Sequence, residues 1–369
     1  MDNRINNNSY GPVHNNGYDM NNNVYNSSPG TGSGIADTNS KAYKKAVIYN
    51  SMDQLSDLRS RASAGVILGV TGFLVFLFAN IFFQSGKGIF FGFLLIAIGI
   101  FYSWGVSKKY KAVYKQLFVE DALNRHFSNV FYSWKSGFTK ERVKTFGLNM
   151  LGNKYSSEDY LRATLDGVDF EMSDVTIQDV RSTGKSTYTV TYFKGRMMVF
   201  DFPDKNVNSV QVFTDTYKYR GKPFGNIKPQ KVEMEGVAFN KKFDVFSLSP
   251  HDAFYLLTPN FMEKLDRLAS RYPSIALHIS MNKIYIGFNE PTNNAFDTKS
   301  MLTNISYDQE VKKIEKDIND IKYIISMIRE LHANSGNVPQ GAPADNTINQ
   351  SGFGYMDPEY DSNNYYQSL

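Results

Sequence analysis

Two uncharged, apolar runs dominate the pattern of hydrophobic and polar positions along this chain. Residues 64–83 and 88–106 contain no Asp, Glu, Lys or Arg, and only residues 84–87 separate them. A helix rises about 1.5 Å per residue, so about 20 residues span the roughly 30 Å hydrocarbon core of a bilayer. The pattern therefore predicts an antiparallel hairpin of two transmembrane helices. The alternative is a pair of buried helices in a soluble protein, but such helices carry a polar stripe that these runs lack.

Basic residues cluster at one end of this hairpin. They precede the first run and follow the second, whereas the connector holds only Lys87. Loops rich in Lys and Arg stay in the cytoplasm, so both termini of this multi-pass protein are predicted to be cytoplasmic. Each basic side chain near an anionic surface contributes about 1 kcal/mol. The residues predicted to contact the membrane surface are Arg59, Arg61, Lys108, Lys109, Lys111 and Lys115.

Composition divides the chain into five segments. Asn, Gly and Ser dominate both ends, which carry scattered tyrosines and too little apolar surface to offset the entropy lost on ordering. Before the first apolar run, Ile48, Met52 and Leu55 recur at helical spacing. The predicted segments are a disordered tail (1–40), a juxtamembrane helix (41–63), the transmembrane hairpin (64–106), a cytoplasmic domain with a helical stalk (107–332) and a second disordered tail (333–369).

Alternating and helical patterns both occur in the cytoplasmic segment, which predicts an α+β fold with an antiparallel sheet. Between residues 168 and 202 apolar residues alternate with polar ones, as in strands, and Gly184 falls at a turn. Further strands are predicted at 227–235 and 243–247, and a hairpin at 275–288. A last helix is predicted after Ser306, because isoleucines recur there at a spacing of three and four.

Polar residues ahead of apolar positions mark predicted helix starts. Thr139 precedes a short helix, and Thr258 directly precedes Pro259, which suits the first turn of another helix. Ser249 precedes a further short helix in the same way. The run Ser-Ser-Glu-Asp at residues 156–159 is interpreted as a capping box that opens one more helix.

Small residues occur at G-x-x-x-G spacing in both transmembrane runs. This spacing lets helix backbones approach closely. The small residues either pack within the hairpin or form a surface for a homo-oligomer. The two pairs are Gly65 with Gly69 and Gly88 with Gly92, and the small residues predicted opposite them are Gly99, Ser103 and Ala79.

Catalytic and metal-binding patterns are absent from the sequence. The chain has no cysteine, which fits a reducing cytosol and excludes thiolate chemistry and disulfides. Gly184, Lys185 and Ser186 resemble the end of a phosphate-binding loop, but Asp179 stands where the first glycine is required, so a hairpin turn is predicted. The net charge of +4 is spread thinly and gives no nucleic-acid footprint. No enzyme activity, cofactor or metal site is therefore predicted.

Several short motifs, in order along the chain, resemble the bacterial domain of unknown function 3137 family. They are Tyr-Ser-Ser-Glu-Asp-Tyr at 155–160, Phe-Lys-Gly-Arg at 193–196, Phe-Asp-Phe at 200–202, Val-Glu-Met-Glu at 232–235 and Ala-Phe-Tyr-Leu-Leu-Thr-Pro at 253–259. The resemblance covers roughly residues 110–331. It implies two membrane helices ahead of a cytoplasmic α+β domain in a bacterial cell membrane. It implies no activity, because the family has no established biochemical function.

Three hypotheses for function remain after these observations. The first is a membrane-tethered interaction or scaffold module that recruits a protein partner at the cytoplasmic face. The second is a domain that binds a lipid or small ligand through Tyr188, Tyr192, Phe193 and Arg196, which requires a pocket of several hundred Å³ lined by these residues. Ordinary core packing is the alternative for these four. The third is an enzyme with unrecognised motifs, which would need polar groups converging in a cleft.

Overall fold

The computed structural model describes residues 41–83, 86–202, 209–222, 228–280, 282–290 and 296–334. These residues form an α+β fold, with two long apolar helices followed by helices and an antiparallel sheet, as predicted. The predicted tails lie outside the described residues, apart from the end of the last helix, and so does part of the hairpin connector.

Two long helices account for the apolar runs. Helix α1 (Lys41–Phe78) has 38 residues and ends in a π-helical turn at Ala79–Phe83. Helix α2 (Gly86–Tyr114) has 29 residues and continues through a π-helical turn (Lys115–Glu120) into α3 (Asp121–His126). Both helices are long and apolar enough to cross a membrane. Only 22% and 17% of their most apolar windows are buried, unlike the core helices of a soluble protein.

Close backbone contacts hold α1 and α2 together. A Cβ at Gly99 would stand 2.7 Å from the backbone oxygen of Gly65, and one at Gly65 would stand 2.4 Å from Ser103 Oγ. The predicted contact of Gly65 with Gly99 and Ser103 is therefore confirmed. A third close approach, which the G-x-x-x-G spacing does not reveal, brings Gly72 against Gly92 and Ile96.

Within the described residues the sheet has nine strands in the order β1-β2-β3-β4-β9-β8-β5-β7-β6, and each neighbouring pair is antiparallel. The hairpin β8–β9 lies between β4 and β5, so the middle of the sheet joins strands distant in sequence. The strands are β1 (Ser128–Ser133), β2 (Lys154–Leu165), β3 (Val168–Ser182), β4 (Thr187–Asp201), β5 (Val210–Thr214), β6 (Gln230–Val232), β7 (Phe243–Ser247), β8 (Ile275–Ser280) and β9 (Lys283–Asn289).

Five further helices belong to the part of the domain that the structure describes. They are α4 (Lys140–Phe146), α5 (Val237–Lys242), α6 (Pro250–Leu256), α7 (Pro259–Arg271) and α8 (Tyr307–Asn334). The predicted caps Thr139 and Thr258 accept hydrogen bonds from the backbone N–H groups of Arg142 and Phe261. Ser249 precedes α6 as predicted but makes no side-chain cap.

The two faces of the sheet support two separate hydrophobic cores. Helices α7 and α8 and the ends of α1 and α2 that lie away from the hairpin connector contribute to the larger core on one face, with Phe170, Phe200 and Ile286 from the strands. The smaller core on the other face contains Phe146 of α4 together with Ile177 and Phe193. Alternation of side chains along the strands therefore decides which core a residue joins, except at register shifts such as the one at Tyr192.

One predicted element is wrong. Residues 156–159 were expected to open a helix, but they lie in the middle of β2 and pair with β3, with Ser157 opposite Val175. A capping box is a purely local signal, and here the pairing with β3 outweighs it. The predicted turn at Gly184 is confirmed, because it links β3 to β4 and Gly184 has a φ of +81° that favours glycine.

Candidate functional site

The ends of both long helices that lie away from the hairpin connector are part of the larger core. Leu55 of α1 is 1% exposed, and Tyr110 and Tyr114 of α2 are 3% and 0% exposed. The predicted stalk is therefore helical, but its apolar stripe packs against the domain. This junction between the apolar helices and the sheet holds the buried charged side chains of Lys115, Asp159 and Glu310, and it is the candidate functional site.

A buried ion pair joins the π-helical turn after α2 to the sheet. Lys115 Nζ lies 2.9 and 2.8 Å from the two carboxylate oxygens of Asp159, and the Tyr132 hydroxyl donates to the same carboxylate at 2.6 Å. Asp159 adopts a φ of +58° where the register of β2 against β3 shifts, so the backbone is distorted to aim this side chain inward. Burial raises the pKa of Asp159, although Lys115 and Tyr132 oppose the shift.

Lys115 is therefore not a membrane-surface residue, contrary to the sequence-based prediction. Its side chain is 1% exposed and is committed to Asp159. The reason is that α2 has already entered the domain at this position: Tyr114, Leu117, Phe118 and Val119 around it are all buried. A lysine this deep needs an ionic partner, because an unpaired buried charge is costly.

A second polar contact joins α2 to the last helix. The Tyr114 hydroxyl donates to the Glu310 carboxylate of α8, and Lys299 Nζ lies 3.3 Å from the same carboxylate. Burial raises the pKa of Tyr114. Together with Lys115, Tyr114 attaches the end of α2 both to β2 and to α8.

A third polar pair lies between the same helices and the sheet. Asp174 of β3 stands opposite Arg196 of β4, and Arg196 Nε is 3.6 Å from Asp174 Oδ1. Neither atom has a hydrogen-bond partner. The Arg196 guanidinium lies 5.3 Å from the centre of the Phe296 ring. Burial raises the pKa of Asp174 to about 7, and the neighbouring Arg196 charge only partly offsets it.

The four residues predicted to form a ligand site are not brought together. Tyr192 and Phe193 belong to the smaller core, whereas Arg196 lies on the opposite face of the sheet, beside Tyr272 and Phe288 of the larger core. Tyr188 is 47% exposed near the β3–β4 turn. The cavity beside Arg196 has a volume of about 10 Å³, which holds at most one water molecule and falls far short of a ligand pocket.

The remaining basic residues predicted at the membrane surface lie on α1 and α2, where the helices leave the domain. Arg59 donates to Asn304 at 2.6 Å, and Arg61 pairs with Asp57 at 2.8 Å. Lys108 and Lys109 are exposed, and Lys111 pairs with the exposed Glu158 at 2.7 Å. Direct contact of these residues with lipid stays a prediction.

Other polar groups in the described residues give no recognisable reaction centre. Ser209 Oγ lies 2.6 Å from His278 Nε2, a distance suited to a nucleophile and its base. However, His278 is 3% exposed, its Nδ1 contacts the Phe146 carbonyl oxygen at 2.7 Å, and burial lowers its pKa. The imidazole thus connects β8 to α4. Among the described residues, no three or more His, Asp or Glu side chains form a metal-binding group.

The sequence interpretation missed Asp159, Asp174 and Glu310 as interior residues. Each looks like a solvent-facing residue of its strand or helix, because nothing in a single sequence shows which long-range partner covers it. A signal was available for Lys115 alone. It interrupts an otherwise apolar stretch that includes Tyr114, Leu117 and Phe118, and this position indicates a paired, buried lysine.

Comparisons with known proteins give one family match and supply no activity. Residues 191–333 match the model of the family described as protein of unknown function (DUF3137), which confirms the resemblance over that part of the domain. No curated protein matches the chain. A solved structure, that of the mycobacterial trehalose monomycolate transport factor A, TtfA, aligns with 57% of this chain and 92% of its own, at 8% identity and a TM-score of 0.31.

Proposed function

We propose that this chain is an integral protein of the bacterial cell membrane, with two spans and both termini in the cytoplasm. Its α+β domain acts as a membrane-tethered interaction module that recruits a protein partner at the inner face. The observation that carries the proposal is the junction: Leu55, Tyr110 and Tyr114 are core residues of the domain, so the domain cannot detach from the helices without unfolding.

The exposed apolar surface of the two helices supports the transmembrane placement. Ile67, Ile81 and Phe101 are 65%, 70% and 74% exposed, and large patches of this kind are covered by a membrane or another protein. The basic flanks support the orientation, because Arg61, Lys108 and Lys109 all lie at the end that carries the domain.

Cysteine labelling tests the topology directly, because the chain contains no cysteine of its own. A cysteine at Ser85, in the connector, should react with a membrane-impermeant maleimide in intact cells. A cysteine at Ser186, in the exposed β3–β4 turn, should react only after the cells are permeabilised. Labelling of Ser186→Cys in intact cells would overturn the orientation, and extraction of the chain by alkaline carbonate would overturn the membrane insertion.

Photocrosslinking in cells tests the interaction module. Val237 of α5 and Phe254 of α6 are 72% and 46% exposed, and an apolar side chain with this exposure marks a candidate contact surface. A photoreactive phenylalanine analogue at these positions should give discrete adducts with another protein. The exposed Lys241 of α5 provides a control position. Adducts of the chain with itself alone, or no adduct at all, would overturn recruitment of a separate protein.

A further inference from the structure

The two tryptophans of the sequence, Trp104 of α2 and Trp134 of the turn after β1, each lie beside a lysine of α2. Lys108 Nζ is 3.6 Å from the centre of the Trp104 ring, and Lys111 Nζ is 5.5 Å from the centre of the Trp134 ring. Trp104, Lys108 and Lys111 share a helix face because they are separated by four and three residues. Trp134 belongs to the domain, yet it lies beside the helix face that carries Trp104.

Trp134 occupies the tip of a tight turn after β1, together with Lys135. The N–H of Ser136 donates to the Ser133 carbonyl oxygen at 3.3 Å, which closes the turn, and the N–H of Tyr160 donates to the Ser136 carbonyl oxygen at 3.0 Å, which fixes the turn to β2. Lys135 is exposed, and its Nζ lies 4.8 Å from the centre of the Trp134 ring. The turn therefore presents a half-buried indole and an exposed ammonium group, and its backbone is held in place by the hydrogen bond to β2.

The positive charges around the turn favour an anionic partner. Lys108, Lys109, Lys111 and Lys135 lie on the turn and the adjoining part of α2, whereas the nearby Glu158 is already paired with Lys111 at 2.7 Å. An indole beside several ammonium groups is the combination that proteins place at the headgroup level of a bilayer.

The position along α2 agrees with this chemistry. Lys111 follows Trp104 by seven residues, which is about 10 Å of helix. The polar headgroup layer extends about 5–7 Å beyond the hydrocarbon core on each side. If Trp104 marks the edge of the core, the turn beside Lys111 lies about 3–5 Å outside the headgroup layer, a gap that the long side chain of Lys135 can cross to reach the phosphates.

We propose that the turn formed by Trp134 and Lys135 is a second membrane contact, which docks on anionic phospholipid headgroups beside the hairpin. This inference rests on the transmembrane placement proposed above. It adds a peripheral contact through the domain itself, which would fix the rotation of the sheet relative to the membrane plane.

The two tryptophans allow the two proposals to be tested separately. The full chain is reconstituted in nanodiscs of phosphatidylcholine alone or of an equimolar mixture with phosphatidylglycerol. Trp134→Phe leaves Trp104 as the sole tryptophan, and Trp104→Phe leaves Trp134. Trp104 fluorescence should be quenched by acyl-brominated lipid in both nanodiscs. Trp134 fluorescence should be quenched by a headgroup nitroxide, and more strongly when phosphatidylglycerol is present.

The outcomes distinguish the headgroup contact of Trp134 from the transmembrane placement of the hairpin. Trp104 that is not quenched by brominated lipid would overturn the transmembrane placement. If Trp104 is quenched but Trp134 quenching is absent, or is equal in the two nanodiscs, the headgroup contact alone is overturned and the transmembrane placement stands. High salt should reduce Trp134 quenching in the mixed nanodiscs and leave Trp104 quenching unchanged, because only the former depends on exposed charges.

A matched pair of charge variants completes the test. Lys135→Gln in the Trp104→Phe background should weaken docking of the turn about fivefold, the effect expected for one basic residue near an anionic surface. Lys185→Gln removes a lysine from the β3–β4 turn, which is far from Trp134. Asp174 of β3 pairs with Glu158 near the Trp134 turn, and the β3–β4 turn begins eight residues further along β3, or roughly 26 Å of strand. This variant should behave like its parent. Equal effects of the two substitutions would overturn a specific contact at Lys135.

Discussion

Lys115 Nζ contacts both carboxylate oxygens of Asp159, at 2.9 and 2.8 Å, inside the protein. The two side chains are 1% and 2% exposed, so water screens this pair very little. Lys115 follows α2 directly, and Asp159 lies in β2. The pair is therefore a direct ionic connection between a candidate transmembrane helix and the sheet of the domain.

Removing the lysine should destabilise the domain strongly. Lys115→Met would leave the Asp159 carboxylate buried without its cation, a change that typically costs about 3–5 kcal/mol. Thermal unfolding in mild detergent measures this loss. Lys111→Met is the matched control: it removes a lysine from the same helix, but Glu158 is 53% exposed, so the expected cost is below about 1 kcal/mol.

A second substitution tests whether the unpaired charge causes that loss. Asp159→Asn in the Lys115→Met background removes the charge, keeps a group that can bond with the Tyr132 hydroxyl, and tolerates the positive φ. It should restore part of the stability. Equal melting temperatures for Lys115→Met and Lys111→Met would contradict the importance of the buried pair.

Asp174 should make the stability of the domain depend on pH. Its pKa is about 7 in the folded protein, above its ordinary value of 3.8, so the folded state binds more protons between these pH values. The stabilisation that Asp174 contributes to the folded state is therefore complete below pH 3.8 and is lost as the pH rises through 7. The free energy of unfolding falls by up to about 1.4 kcal/mol per pH unit in this range.

Asp174→Asn should remove this slope. The difference in unfolding free energy between the variant and the original chain, followed from pH 4 to pH 8, should change in favour of the variant as the pH rises. Other titrating groups cancel in that difference, which serves as the internal control. A difference that stays constant with pH would show that Asp174 does not titrate in this range.

Gly72 should be essential for packing of the hairpin. A Cβ there would stand 2.8 Å from both Ile96 N and Leu95 Cβ, so Gly72→Ala must push the helices apart, at a cost of about 1–3 kcal/mol. Gly105 has open space around its would-be Cβ, and Gly105→Ala should gain up to about 1 kcal/mol from helix propensity. Thermal stability in detergent compares the two. Equal effects would contradict the tight crossing at Gly72.

The cap of α7 provides a local test of the domain. Thr258 accepts a hydrogen bond from Phe261 N at 3.3 Å, so Thr258→Ala should cost about 0.5–2 kcal/mol. Ser249 occupies the corresponding place before α6 but makes no such bond, and Ser249→Ala should have a smaller effect. Unfolding in denaturant measures both. A larger loss for Ser249→Ala would show that sequence position matters more than the bond.

The features predicted from sequence are those set by local patterns. The apolar helices follow from two uncharged runs, the caps at Thr139 and Thr258 from a hydroxyl ahead of a helix, and the β3–β4 turn from Gly184. Each involves residues within one or two turns of the chain, where periodicity and hydrogen bonding are encoded directly.

The features that sequence did not predict depend on distant pairing. The hairpin β8–β9 enters the sheet between β4 and β5, so Gly195 pairs with Asn289, and no local pattern specifies that order. Phe193 and Arg196 lie on opposite faces because they are three residues apart in β4, whereas the register shift that puts Tyr192 on the same face as Phe193 depends on the pairing of β4 with β3. Burial of Lys115 likewise depends on Asp159, which is 44 residues away in sequence.

The unbroken course of α1 has a mechanical consequence. Residues 55–78 of α1 run as one continuous helix from the core position of Leu55 to the exposed apolar surface. A helix hairpin adjusts to bilayers of different thickness mainly by changing its tilt. Because Leu55 of α1 is packed in the core, a change of tilt in a helix that spans the bilayer as proposed would turn the sheet with it and so change which of its surfaces faces an approaching protein.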